Sequence, residues 1–506
     1  MDQLLGVIHG FSTVLVPNNF LFMVIGLLTG VLFAAVPGLT GTLAIALLLP
    51  ITFSLDVETS LIMVASIFMG GQYGGSITAI TVNIPGAPSA VMTAYEGNKL
   101  MRKGKGVLAL RHAAMSSSIG GVLGALMLMA FAPAVAVGAL YVQTPGKFAL
   151  ILFALFVVIA SHKHDLFKGI IATILGLMVA TIGIDVASPV ARQTFGFPFL
   201  IEGVNLMAML IGAFAVSEML VQAEPSENDA QTAAFEKQPK VGRSEFFPRL
   251  ENFWEIGPFN YLKFAVLGYF VGVLPGAGGS SAAFVSYAEA KRASKKPEEY
   301  GNGSVEGVAA AEGANNAMCG GSLVPMLTFG IPGDTTSAVI LGVLIINGLQ
   351  PGPQMMSTQF ELVTPMMAAL LFSAILIPVV LIVIGPYYLK LVSISKALLY
   401  ATIAVVAMVG AYVSTFSTFQ MGTALIIGVG AYLMSKNGYP IVSFLLGFIL
   451  GPDLEVNLRR SLTISDGDPL IFVTSPDSLF FLLMIVVFGY FLLFKSNDPD
   501  PEMRAE

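Results

Sequence analysis

The 506-residue sequence has little charge, one cysteine and four histidines. Only 11% of residues are charged and 55% are hydrophobic, with a mean hydropathy of +0.81. Soluble domains carry about 25% charge, so this chain lacks the polar surface to stay in water, and a soluble multidomain enzyme is excluded. The net charge of −6, with its few basic residues scattered, excludes disorder and nucleic-acid binding. A lone Cys319 forbids an internal disulfide, and histidines without ligand spacing hold no structural zinc. Met1–Gly10 has no basic n-region and no small-residue cleavage site, so no cleavable signal peptide is expected. Catalytic motifs are missing too: there is no HExxH, no G-x-S-x-G and no phosphate loop. A non-enzyme without a nucleotide site must draw on an ion gradient or on another subunit. What remains is an all-α integral membrane protein.

Glycine (53) and proline (28) are plentiful, and the prolines sit inside apolar segments, often as Pro-Gly. Such breaks characterise transporters and channels more than anchors. The apolar segments predict about 10–14 membrane segments, several too short to cross alone as straight helices. The longest polar stretch, 222–260, reads as a cytoplasmic linker between membrane repeat 1 (1–221) and membrane repeat 2 (261–496), with a polar tail at 497–506.

The halves are related. GVLFAAVPGLTGTLA and GYFVGVLPGAGGSSA align without gaps, so Gly30, Pro37, Gly38 and Gly41 fall on Gly268, Pro275, Gly276 and Gly279. YGGSITAITVNIPG (73–86) then matches CGGSLVPMLTFGIPG (319–333) with one insertion, and a weaker third pair sets Asp185 and Arg192 against Glu455 and Arg459. Charge orients the copies. After the first Pro-Gly segment, copy one has the Lys/Arg-free SLDVETS where copy two has Lys291, Arg292, Lys295 and Lys296. After the second, Lys99, Arg102, Lys103 and Lys105 stand in copy one against a Lys/Arg-free loop in copy two. Short basic loops stay cytoplasmic, so equivalent loops lie on opposite sides and the repeats are expected to be inverted. Lys390, Lys396, Lys436, Arg459 and Arg460 cannot all be cytoplasmic if every segment crosses, which leaves the topology of 397–478 open.

Proline removes a backbone donor, and glycine accepts left-handed dihedrals. A Pro-Gly inside a membrane segment therefore breaks the helix and frees carbonyls on one side and N–H groups on the other. In hydrocarbon those groups must face protein or a wet cavity. Half-helix N-termini suit carboxylates, and freed carbonyls suit Na⁺. The expected substrate-binding residues are Pro37, Gly38, Ser76, Asn83, Pro85, Gly86, Pro275, Gly276, Gly278, Asn315, Asn316, Pro332, Gly333 and Thr335. Thr78, Asn83, Ser322 and Asp334 are candidate cation ligands. The alternative for each hydroxyl is helix packing, and for Asp334 it is an N-cap. Glu312 stays open between an ion role and none.

The stretches PGLTGTLAIALLLPITF, YGGSITAITVNIPGAPSAVMTAYEGNKLMRKGKG and LPGAGGSSAAFVSYAEAKRASKKPEEYGNGSVEGVAAAEGANNAMCGGSLVPMLTFGIPGDTTSA resemble the large membrane subunit of tripartite tricarboxylate transporters, the TctA family. The likeness covers nearly the whole chain. It implies a bacterial inner-membrane carrier that imports citrate or related carboxylates, coupled to Na⁺ or H⁺ and with no other cofactor. Its partners would be a small membrane subunit (TctB-like) and a periplasmic solute-binding protein (TctC-like). Asp334 and Ala311 depart from the family pattern, which often has a small residue and a proline there. Two other classes stand as alternatives: an ion channel, which would also use broken helices, and an intramembrane enzyme acting on lipid-linked substrates, which would need a catalytic pair for which Glu312 with Asp334 is the one loose candidate.

Overall fold

The computed structural model describes residues 2–36, 38–162, 165–186, 188–224, 242–387, 396–413 and 416–494. Pro37, Lys390, the polar tail at 497–506 and part of the 222–260 linker lie outside the described residues. The chain is almost entirely helical. In order the principal helices are α1 (Asp2–Val14), α2 (Pro17–Ala34), α3 (Gly41–Thr52), α4 (Val57–Val82), α5 (Val91–Arg102) and α6 (Gly106–Ala139). Then come α7 (Thr144–Ala160), α8 (Leu166–Ala180), α9 (Leu206–Gln222), α10 (Pro258–Val273), α11 (Gly278–Ala293) and α12 (Val305–Phe329). The last are α13 (Thr335–Ile346), α14 (Phe360–Ile384), α15 (Lys396–Val413), α16 (Thr418–Lys436), α17 (Ile441–Ile464) and α18 (Pro476–Phe494).

Among the described residues five helices are long and apolar enough to cross a membrane: α2, α6, α14 with its extension to Tyr387, α16 and α17. A sixth span arises if Arg243–Ile256 and α10, bent by 92°, count as one, and eight shorter apolar helices accompany them. This is an all-α membrane protein. Exposed Ile170, Ile174 and Met178 on α8, and Leu483, Val486 and Tyr490 on α18, give those helices greasy outer faces suited to lipid.

Local chemistry sets the helix starts. Proline opens α2, α7 and α10, where its missing N–H costs nothing. Side-chain caps open five others: Thr40 at α3, Asp56 at α4, Asn205 at α9, Ser304 at α12 and Asp334 at α13. At Asp56 burial opposes the charge, but hydrogen bonds from the Thr59 amide and hydroxyl outweigh it and hold the carboxyl below its ordinary value.

The described chain packs as two units that do not follow the sequence halves. One contains residues 1–139 and 205–436, the other 140–204 and 437–506. In the first, α12 runs beside α6, α10 and α11, and α4 beside α2 and α14. These contacts are made by glycine. Gly120 and Gly124 of α6 press on the backbones of Gly313 and Ala317 of α12, and Gly268 and Gly272 of α10 press on Ala314 and Met318. Without a hydrophobic drive between helices in lipid, close backbone approach of this kind supplies the packing energy.

In the second unit α17 packs on both α7 and α8, with Gly176 of α8 against the Phe444 backbone and Gly447 of α17 against that of Thr173. A two-residue β-hairpin, Gly183–Ile184 with Ala191–Arg192, follows α8. It brings together the four residues of the weak third sequence pair. Arg192 forks onto Glu455 (2.8 and 3.1 Å) and reaches Asp185 (3.3 Å). Arg459 in turn holds Asp185 (3.0 Å) and Glu455 (2.5 Å). Two acids and two arginines alternate, each touching both of the opposite sign.

Candidate functional site

The four Pro-Gly turns all lie in the first unit, and they meet. Turn one follows α2, and its Gly38 takes φ +87° before Thr40 caps α3. Turn two leaves α4 at Asn83, whose left-handed backbone (φ 59°, ψ 26°) ends the helix ahead of Pro85 and Gly86. Turn three leaves α10 and uses φ +75° at Gly276 and +61° at Gly278 to start α11. Turn four leaves α12 at Gly330, also left-handed (φ 72°, ψ 16°), before Pro332, Gly333 and the Asp334 cap of α13.

Contacts close these turns into a ring. A Cβ on Gly86 would strike the carbonyl oxygen of Ala34 at the end of α2, which joins turn two to turn one. Turn three joins turn four through the Gly276 N–H, which donates to the Gly333 carbonyl at 2.8 Å. The first turns of α3 and α13 touch through Thr42 Oγ1 and Thr336 Oγ1, 2.6 Å apart. The start of α11 touches the 3₁₀ turn Pro88–Ala90 ahead of α5, where Gly279 approaches Ser89 and the side chain of Asn315 too closely for any Cβ. Four helix starts taken from both halves of the sequence thus share one region of the unit. Each brings roughly half a positive charge from its peptide dipoles.

The four starts are not equivalent. Thr40 Oγ1 accepts from Leu43 N at the start of α3, and Asp334 accepts from Thr336 N and Ser337 N at the start of α13. Neither α11 nor the 3₁₀ turn before α5 has a side-chain cap. The first N–H groups of α11 and the Ser89 N–H of the 3₁₀ turn are therefore the ones free to receive an anion. Beside them Gln72 of α4 acts as a bracket. Its carbonyl accepts from Asn315 Nδ2 (3.2 Å), and its Oε1 accepts from Ser89 Oγ (3.0 Å). That leaves Asn315 Oδ1 fully buried without a partner. Asn316 Nδ2 donates to the Met69 carbonyl (3.2 Å), and its Oδ1 is likewise buried and unpartnered. An unmet buried acceptor costs about 1–3 kcal/mol, so these oxygens are spare valences of the site. No cluster of three or more His, Cys, Asp or Glu able to hold a metal occurs among the described residues.

The other expected site residues fall as follows. Pro275, Pro332 and Gly333 are buried, Pro85 is half-buried, and Gly86 and Gly333 are kept small by the backbones they press on. Ser76, Thr78 and Ser322 are buried on α4 and α12, but their hydroxyls donate to carbonyls of their own helices, those of Tyr73, Gly75 and Cys319. Asn83 is exposed at its turn, and Thr335 is half-buried at the first position of α13. Asp334 spends both carboxylate oxygens on its cap.

Sequence reasoning missed Glu96. This fully buried carboxylate on α5 accepts from Tyr287 (2.6 Å) and from the N–H groups of Gly301 (2.5 Å), Gly303 (2.8 Å) and Ser304 (2.8 Å). Lys99 and Lys103, further along α5, grip the same loop at the Gly301 and Asn302 carbonyls. The only signal was the pair of glycines, which take φ +85° and +91° and turn successive N–H groups inward. The two basic loops lie side by side there. Lys103 and Lys105 line one cavity of about 820 Å³ together with Lys295 and Lys296.

Comparison with known proteins gives one family model and two uncharacterized relatives. Residues 20–446 match the model of the "Tripartite tricarboxylate transporter TctA family". An Agrobacterium vitis protein described as "Uncharacterized 52.8 kDa protein in TAR-I ttuC' 3'region" is 37% identical over 476 residues, 94% of this chain and 93% of its own length. A second from that organism, "Uncharacterized protein in TAR-II ttuC' 3'region", is 37% identical over 209 residues, 41% of this chain and 86% of its own length. No solved structure matches. With its model spanning most of the sequence and a relative aligned nearly end to end, this chain belongs to the tripartite tricarboxylate transporter TctA family.

Proposed function

We propose that this chain is the large transmembrane subunit of a binding-protein-dependent secondary transporter that imports tricarboxylates or related carboxylates across the bacterial inner membrane. A small membrane subunit and a periplasmic solute-binding protein complete it, and a Na⁺ or H⁺ gradient drives it. The observation that carries the reading is the ring of four broken-helix starts, two of them uncapped, beside the unpartnered oxygen of Asn315. Such a site binds carboxylates through backbone N–H groups and dipoles.

The substrate carboxylates sit at the open starts of α11 and the Pro88–Ala90 turn. Gly86, Gly276 and Gly333 shape the approach, and Asn315 lies beside them with its Oδ1 open to a substrate hydroxyl or a cation. The two copies are inverted repeats. Matched packing supports the duplication, though not by itself the inversion: Gly86 rests on Ala34 as Gly333 rests on Gly272, at the offset that aligns Pro37 with Pro275. The left-handed ends Asn83 and Gly330 correspond. The shared cavity of the two basic loops fits a single cytoplasmic face. Alternating access comes from part of each repeat moving against the rest.

The test is uptake by proteoliposomes that hold both membrane subunits and the binding protein, with and without a Na⁺ or H⁺ gradient. Saturable, gradient-dependent accumulation of a radiolabelled carboxylate is expected, at least tenfold lower in Asn315→Ala at matched insertion. Passive ion conduction without the binding protein, or full uptake in that variant, refutes the reading.

A further inference from the structure

One buried acid is not used by the substrate site. Glu312 sits on α12 one turn before Asn316 and has no solvent exposure. Its Oε1 accepts from Thr93 Oγ1 of α5 at 2.5 Å, and its Oε2 from Ser117 Oγ of α6 at 2.9 Å. Among the described residues no lysine, arginine or histidine pairs with it. The other acids and bases nearby are engaged elsewhere. Glu96 of α5 clasps the 301–304 loop, and His112 of α6 faces Asn252 (3.2 Å) and Glu255 (3.2 Å). Tyr261 and Tyr269 of α10 turn their hydroxyls to Met115 and Met127, and Tyr287 of α11 donates to Glu96.

Two unmet oxygens lie on the facing surfaces. Asn316 occupies the Glu312 side of α12 and spends its Nδ2 on the Met69 carbonyl of α4, which leaves Oδ1 buried and alone. Tyr73, one turn beyond Met69, has a fully buried hydroxyl without a partner and lies within electrostatic reach of Glu312. Four helices therefore contribute a carboxylate, two hydroxyls bound to it, an amide oxygen and a phenol, with no positive charge among them.

An ionised carboxylate in such surroundings is costly, and so is each orphaned acceptor. A proton on Glu312 would remove the charge but could serve only one of the two unmet oxygens. A hard monovalent cation relieves both, because such ions take oxygen ligands and a single carboxylate balances a single charge. We propose that Glu312, Thr93, Ser117, Asn316 and Tyr73 form a Na⁺ site, and that the coupling ion of the transport cycle binds there. The coupling role rests on the transport reading above; the site itself does not. Asn316 and the neighbouring Asn315 then link the ion to the substrate ring, since Asn315 faces Gly279 while Asn316 stands one turn from Glu312 on the same face of α12.

The experiment measures thermal unfolding of the purified chain in detergent across a NaCl series at constant ionic strength with choline chloride, at several pH values. A ligand that binds only the folded state raises the midpoint with its concentration. The wild type is expected to show a saturable Na⁺-dependent rise that Glu312→Gln and Thr93→Val each weaken at least tenfold in apparent affinity. Glu312→Gln keeps the side-chain shape, and Thr93→Val reports on the site should that variant fail to fold. A wild-type Na⁺ response in both variants overturns the site. So does a wild type that ignores Na⁺ but shifts with pH through Glu312, which would make the group a proton carrier. This readout needs neither substrate nor partner subunits. A Na⁺ response without uptake in the reconstituted system sinks the transport reading alone, and Na⁺-driven uptake untouched by Glu312→Gln sinks the site alone.

Discussion

Thr42 and Thr336 share a hydrogen bond of 2.6 Å, although 294 positions separate them in the chain. Each is the second residue of a half-helix that follows a Pro-Gly turn, one from each half of the sequence. A hydroxyl pair of this kind is a local measure of whether the two broken helices stay together.

That pair gives the first prediction. Replacing one partner strands a buried hydroxyl, so Thr42→Val and Thr336→Val should each destabilise by about 1–2 kcal/mol. The double variant should cost clearly less than the sum of the two, with a coupling of about 1 kcal/mol read from a double-mutant cycle on thermal unfolding. Strict additivity would mean that the two half-helices do not touch.

Glycine at the close approaches is a second matter. Gly86→Ala and Gly333→Ala each push a methyl group into a backbone carbonyl, and overpacking of that sort costs about 1–3 kcal/mol. Gly138→Ala meets nothing within 4 Å and should be neutral or slightly stabilising in the same helix-rich setting. Melting curves of the three variants, recorded side by side, check the ranking.

Asn83 separates backbone from side chain. Its left-handed conformation favours glycine, so Asn83→Gly should fold as well as the wild type while Asn83→Ala loses about 1 kcal/mol. Uptake by Asn83→Gly at matched expression then isolates the amide. A drop of tenfold or more is expected if the exposed side chain meets substrate, and wild-type uptake leaves Asn83 as a helix end only.

The alternating quartet of the second unit offers a fourth test. Asp185 is almost fully buried and touches both arginines, so Asp185→Asn leaves Glu455 alone to balance two cations. A loss of about 2 kcal/mol is expected, smaller at high salt because the arginines are partly exposed. Exchanging the charges in Asp185→Arg with Arg459→Asp should recover part of it. Limited proteolysis in low and high salt reads the difference.

Much of this was legible in the residues because it depends on neighbours in sequence. The apolar runs dictate helices in lipid, and Pro-Gly inside a run dictates a break. Asp334 was weighed as a cap from its place just before a helix, and its carboxylate caps α13. What escaped depends on partners far apart in sequence. The left-handed backbone with which Asn83 ends α4 is one such feature, since nothing beside it in sequence dictates that dihedral. The Glu96 clasp needs two positive-φ glycines over two hundred positions away, and nothing near Glu96 announces them. The division into two units depends on α17 choosing α7 and α8 as neighbours. Asp185, Arg192, Glu455 and Arg459 were matched as repeats of one another. The structure makes them partners as well, because opposite charges at equivalent places can neutralise each other.

The clasp at Glu96 also sets a mechanical constraint. A carboxylate holding three amides and a phenol releases them only at great expense, with Lys99 and Lys103 tightening the same knot from the next turns of α5. Helix α5 and the entry to α12 must therefore travel as a single cartridge, whichever portion of the protein swings during a cycle. A hinge has to be sought on either side of that cartridge, never through it.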